Sequence, residues 1–214
     1  MRLQKILLSM RLLITAGPTR EKIDPVRFIS NHSSGRMGYS IAQAAQEKGL
    51  QVTLISGPVT IPAPEGVEVI RVITAAEMAE AVHAVAPESD IIIMTAAVAD
   101  YRPAHPFECK MKKMPGKLVL ELERTEDILG SLGANKRPGQ LLVGFAAETD
   151  DLEANALGKL ERKNLDWIAA NLASDGFGTE TNKITLDRRD GKKIDLPAGK
   201  KLDVAREMLK EILP

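Results

Sequence analysis

The stretch FISNHSSGRMGYSIAQAAQEKG, residues 28–49, sets Ser30, Asn31, His32, Ser33, Ser34 and Gly35 directly ahead of a segment with helical spacing. Two chemistries fit such a run. One serine or asparagine can cap the helix, and a single side chain suffices for that. Alternatively, the free N–H groups and positive dipole end of the helix hold a phosphate or carboxylate, and the polar run adds further donors. Cations recur downstream. Lys110, Lys112 and Lys113 stand among the prolines of YRPAHPFECKMKKMPG (101–116), which on composition alone is a solvated loop. Lys159 and Lys163 lie four residues apart near the end of a helical pattern. The helix dipole accounts for both, yet like charges at this spacing repel by about 0.2–0.5 kcal/mol. A bound polyphosphate would offset that cost.

The elements that must position these groups follow from apolar periodicity. RLLITAG (11–17) and DIIIMTAAVAD (90–100) read as buried strands, the second apolar on both faces as in the middle of a parallel sheet. LQVTLISGP (50–58), QLLVGFAAET (140–149) and LDWIAAN (165–171) read as further strands. Met37, Ile41, Ala44, Ala45 and Lys48 share a helix face that Gly49 ends, and Thr74 with Glu77 forms a capping box for the next helix. Helices are also expected over TEDILGSLGA, DDLEANALGKLERKN and KKLDVAREMLKEIL, a half-exposed strand over KLVLELE (117–123), and a hairpin turning at Asp190-Gly191. Residues 18–35 read as a polar loop. Alternating strands and helices predict an α/β, Rossmann-like, doubly wound and mostly parallel sheet with a small inserted hairpin and flap region. In such sheets ligands bind beyond the carboxyl ends of the strands, which here are the loops at 17–35, 95–116, 145–150 and after 171.

Bulk composition excludes several classes. The 214 residues balance 29 Lys+Arg against 29 Asp+Glu, and aromatics make up 3%. A nucleic-acid partner is therefore not expected. The lone Cys109 excludes an internal disulfide framework, and it reads as an incidental thiol. Residues 1–10 read as an N-terminal extension or linker remnant, too interrupted by charge for a membrane span, so a cytoplasmic protein is expected. A nicotinamide-dependent reductase is the obvious first reading of such a sheet, but GxGxxG and Walker A motifs are absent. The second strand ends LISGP without an acidic residue for a ribose, and neither Tyr39 nor Tyr101 has a lysine four residues on. A non-catalytic nucleotide-binding subunit is the other alternative.

ITAGPTREKIDPVRFISNHSSGRMG, AAVADYRP, KMKK, GFAAET and KLERKNLD occur in that order from residue 14 to residue 166. The chain from Leu12 to about Asn171 resembles the phosphopantothenoylcysteine synthetase (phosphopantothenate–cysteine ligase) domain of bacterial coenzyme A synthesis; beyond Ser174 only patterning guides the reading. The resemblance implies that CTP converts the carboxylate of 4′-phosphopantothenate to an acyl-cytidylate, and that L-cysteine then displaces CMP. It implies Mg²⁺ with the triphosphate, no flavin in this chain, a homodimer, and an upstream decarboxylase as a possible fusion partner; no dedicated metal-ligand cluster is visible in the sequence.

The same resemblance assigns residues. Asn31 serves the acyl-cytidylate within a substrate and phosphate loop of Gly17, Arg27, Asn31, Ser33, Ser34, Gly35 and Ala97. Lys110 is a flap lysine acting on the triphosphate. Met94, Thr95, Ala96, Asp100, Glu126, Asp127, Ile128, Leu129, Phe145, Lys159 and Lys163 hold the nucleotide. Asp100 equally suits a turn cap, and Phe145 equally suits the core. One departure stands out: relatives usually read Asn-Pro-Asp-Ile where this chain has Thr125-Glu126-Asp127-Ile128, which sets a negative charge beside the nucleotide.

Overall fold

Branched and apolar residues alternate to both faces of β1 (Arg11–Ala16), so that Leu12, Ile14 and Ala16 enter one core layer while Leu13 enters the other. The strand is therefore covered on both sides and lies inside the sheet. The computed structural model describes residues 8–113, 115–148, 151–172 and 179–213. The expected extension at 1–10 falls mostly outside them, as do parts of the loops at 145–150 and after 171.

A hairpin of β2 (Arg20–Lys22) and β3 (Phe28–Ser30) follows β1 and precedes helix α1 (Arg36–Glu47). Next come β4 (Gln51–Ser56), β5 (Glu68–Arg71), α2 (Ala75–Val85), β6 (Ile91–Met94), and the arm of β7 (Tyr101–Pro103) and β8 (Leu122–Arg124). Helix α3 (Ile128–Ala134), β9 (Leu141–Glu148), α4 (Leu152–Arg162) and β10 (Trp167–Leu172) continue the alternation. The chain closes with β11 (Thr181–Asn182), β12 (Thr185–Arg188), β13 (Lys193–Asp195), β14 (Gly199–Lys200) and α5 (Lys201–Ile212).

The central sheet has eight strands in the order β13-β12-β10-β9-β6-β1-β4-β5. All neighbours from β5 to β10 run parallel, and β12 and β13 add antiparallel at the edge. Taken by rank in the chain, the parallel strands follow the doubly wound order 3-2-1-4-5-6, and the connections change direction between β1 and β6. That is where a crevice must open. One face carries α1 and α5, with Ile41, Ala45, Val204 and Met208 in its layer; the other carries α2, α3 and α4, with Met78, Val82, Ile128 and Leu160. Arg206 of α5 holds Glu47 of α1 through two bonds, Nε to Oε2 at 2.9 Å and Nη2 to Oε1 at 3.0 Å.

Three expectations need correction. The segment 18–35 is not a plain loop but carries the β2–β3 hairpin. The half-exposed strand expected at 117–123 shrinks to β8, and Val119 is 86% exposed. Its partner is the cause: Pro103 gives the ladder no N–H, the pairing ends one bond later with Ala104 N–H donating to Glu121 O at 3.0 Å, and Pro106 follows. The Glu77 carboxylate of the capping box accepts from Ile73 N–H at 2.6 Å rather than from Thr74, while Thr74 Oγ1 accepts from Glu77 N–H as expected.

Candidate active site

The loops leaving β1 and β6 are stitched together at the switch point. Ala97 N–H donates to Gly17 O at 2.9 Å, Thr19 N–H donates to Ala97 O at 3.2 Å, and Pro18 bridges Ala97 in parallel register. Thr19 is fully buried, and its Oγ1 accepts from Ala99 N–H at 3.0 Å. Asn31 Nδ2 donates to Ala97 O at 3.0 Å, which leaves a second amide hydrogen and the amide oxygen for other partners. Asn31 therefore does not cap α1. The capping residue is Gly35, left-handed at φ 74°, and among the described residues it supplies no side-chain cap for the helix. Ser33 Oγ instead accepts from Gly35 N–H at 3.3 Å.

Glycines set how closely α1 approaches the strand ends. A Cβ on Gly38 would lie 2.6 Å from Ala16 Cβ and 2.5 Å from Thr95 Oγ1. Gly17 and Gly35 pack against each other in the left-handed region, where a side chain is strained.

Two adjoining chambers open over this switch point. The first, about 300 Å³, is lined by Asn31, Ser33, Ser34, Gly35, Thr95 and Ala97 from the β1 and β6 exits, and by Asn171, Asn182 and Lys201 from the C-terminal half. The second, about 500 Å³, is lined by Met94, Tyr101, Glu126, Asp127, Ile128, Leu129, Arg162 and Lys163. Ala96, Val98, Asp100, Phe145 and Lys159 line both. Most residues assigned to the nucleotide line the second chamber and most assigned to the substrate loop line the first; Thr95, assigned to the nucleotide, lines the first alone, and Ala96, Asp100, Phe145 and Lys159 stand on the common wall.

Charges around the second chamber are partly matched. Lys163 pairs with Asp127, whose Oδ1 also caps α3 by accepting from Gly130 N–H at 3.0 Å. Glu126 Oε1 lies 2.6 Å from His83 Nε2, so the departing carboxylate is drawn toward α2. Lys159 Nζ donates to Phe145 O at 2.7 Å.

Three assigned residues line neither chamber. Gly17 is buried beneath the loop crossing, Arg27 is held by Asp24 with Nη1 donating at 2.7 Å, and Lys110 is exposed on the 101–113 segment. Conversely, sequence reading missed Arg36, Asn171, Asn182 and Lys201. Lys201 is only 5% exposed, and burial together with the Arg36 charge holds its amine below the usual lysine range. A signal for it existed. Lys200 and Lys201 open a helix, where the dipole disfavours cations, so a second demand must keep them there.

The family model for the DNA/pantothenate metabolism flavoprotein C-terminal domain matches residues 7–214. The chain belongs to that family. The coenzyme A biosynthesis bifunctional protein CoaBC of Bacillus subtilis is 54% identical over 94% of this chain and 50% of its own length. A protein of an unidentified prokaryote named cysteine/cysteine sulfinic acid decarboxylase is 48% identical over 98% of this chain and 60% of its own length. The crystal structure of the C-terminal domain of a CoaBC protein superposes with a TM-score of 0.82 at 48% identity, covering 95% of this chain and 93% of that one. The chain thus spans about half to three-fifths of these two longer relatives, and the flavoprotein C-terminal domain is the shared part. In this family member the loop from β1 to α1 runs through a hairpin, so the tight glycine turn of a dinucleotide-binding fold is absent. Among the described residues no helix is long and apolar enough to cross a membrane, and no three His, Cys, Asp or Glu side chains gather as a metal cluster.

Proposed function

We propose that the chain ligates 4′-phosphopantothenate to L-cysteine at the expense of CTP, as an acid–amino-acid ligase of cytoplasmic coenzyme A synthesis. The observation that carries the reading is the shared wall. A nucleotide in the second chamber and a carboxylate in the first meet across Asp100, Phe145 and Lys159. The naming of the relatives that match this domain supports the same reading. The decarboxylase name attaches to a longer protein of which 40% lies outside the match.

A carboxylate is a poor electrophile, so it must first be activated. Its oxygen attacks the α-phosphorus of CTP, the bond to the β-phosphate breaks, and pyrophosphate leaves. Lys159 and Lys110 supply positive charge where negative charge gathers on the leaving group. The first N–H groups of α1 face the anhydride with Ser33 and Ser34. The cysteine amine then attacks the acyl carbon and CMP departs. Asn31 donates its remaining amide hydrogen to the oxyanion of that step, and an amide does so without any change of its own charge. Mg²⁺ fits as an ion held mainly by phosphate oxygens and water, with the Asp100 carboxylate as the hard donor that lines both chambers. It would supply charge neutralisation to the departing pyrophosphate.

A second copy of the chain is the proposed partner. Val26, Phe28, Phe107, Leu118, Val119 and Leu122 expose apolar surface on the β2–β3 hairpin and the β7–β8 arm. A homodimer would cover it. Light scattering is expected to give twice 23.2 kDa at micromolar concentration, and a monomer would refute the dimer.

The ligase reading is tested by mass analysis of phosphopantothenoylcysteine after incubation with all three substrates, with CTP compared with ATP. Product dependent on a nucleoside triphosphate is expected. Absence of product together with NAD(P)H binding would turn the assignment to a reductase.

A further inference from the structure

Asp24 lies at the tip of the β2–β3 hairpin, only 2% exposed, and its four acceptor positions are all in use. Oδ1 accepts from Val26 N–H at 2.8 Å and Arg27 N–H at 2.9 Å, closing the turn. Oδ2 accepts from the Arg27 guanidinium at 2.7 Å and from Met111 N–H at 3.2 Å. Two further bonds join the same segments: Phe107 N–H donates to Ile23 O at 2.8 Å, and Arg27 Nη2 donates to Met111 O at 3.4 Å. The peptide next to Lys110 is therefore fastened to the loop that ends in Asn31. Burial alone would raise the Asp24 carboxyl, but the hydrogen bonds from Val26, Met111 and Arg27 hold it below the ordinary aspartate range. It is an ionised tether.

We propose that Asp24 is a positioning residue, which fixes Lys110 relative to the substrate loop by holding the Arg27 guanidinium and the Met111 N–H on one carboxylate oxygen. The role given to Lys110 rests on the ligase reading above; the tether itself does not. The carboxylate is needed because both bonds end on Oδ2. An amide of the same shape keeps the Oδ1 turn and presents N–H groups where two donors already point.

Asp24→Asn in the full chain separates the possibilities. Hydrogen exchange of the 105–113 segment is expected to quicken tenfold or more, with β1 and β6 unchanged. Unchanged exchange in 105–113 would overturn the tether, and raised exchange throughout the sheet would make Asp24 a residue of the fold rather than of Lys110. In the activity arm, pyrophosphate release is expected to fall tenfold or more in Asp24→Asn. In a Lys110→Gln background the same change should cost no more than about twofold, since both changes remove one effect. Fully additive losses would overturn the positioning role. If the parent protein releases no pyrophosphate from CTP and phosphopantothenate, the ligase reading fails, and the exchange result alone decides the tether.

Discussion

Lys159 Nζ reaches the carbonyl oxygen of Phe145 at 2.7 Å, so one cation stands on the wall common to both chambers. The bond ties the last turn of α4 to β9 and sets the amine where a nucleotide phosphate would pass between the spaces. Charge-assisted bonds contribute about 1.5–3 kcal/mol. Lys159→Gln should therefore raise KM for CTP by about 10- to 100-fold. Melting should stay within a few degrees, because the glutamine amide can still donate to nearby oxygens. Unchanged saturation by CTP would remove Lys159 from the nucleotide site.

Asn31→Asp separates an active-site amide from a structural one. The carboxylate cannot donate to Ala97 O or to an oxyanion, and it repels the acyl phosphate. Turnover to product should fall by about 100-fold or more, with acyl-cytidylate surviving a quench and visible by mass. Since Gly35 and not Asn31 caps α1, the helix has no stake in the change, and melting should hold. Near-normal turnover would assign the oxyanion to another donor.

Asp187 provides a pH prediction away from the site. Burial holds this 5%-exposed carboxyl above the ordinary range, with Lys193 pulling it down and Glu153 and Asp195 pushing it up. A raised folded pKa means that ionisation costs stability. The cost is absent below the unfolded value of about 3.9, grows as pH rises to the folded value, and is constant above it. Asp187→Asn should therefore melt a few degrees higher than the parent at neutral pH, with the gap closing near pH ~3.5. A gap independent of pH would show that packing, not charge, sets the difference.

Much of this molecule was legible where one local rule decided the outcome. The strand residues 91–94 are apolar in succession because both faces of β6 are covered, and that needs no knowledge of partners. The lining of the candidate site was legible along the β1 and β6 exits and the α3 and α4 ends, where residues of one motif remain neighbours in space. What stayed hidden depends on distant meetings. Asp24 closes its own turn locally but takes Met111, 87 residues away, as its fourth donor. Lys201 and Asn182 reach the first chamber because α5 packs on α1 and Asn182 lies against Met37 of α1. KLVLELE misled for the same reason, since its alternation is real but its partner strand is stopped by prolines.

The most direct measurement is pyrophosphate release from CTP by the intact chain, with 4′-phosphopantothenate present and cysteine absent. The two-chamber arrangement predicts release stoichiometric with active sites, retention of acyl-cytidylate, and turnover only once cysteine is added. No release under those conditions, or release that ignores phosphopantothenate, would contradict the assignment of the chain as a CTP-dependent ligase.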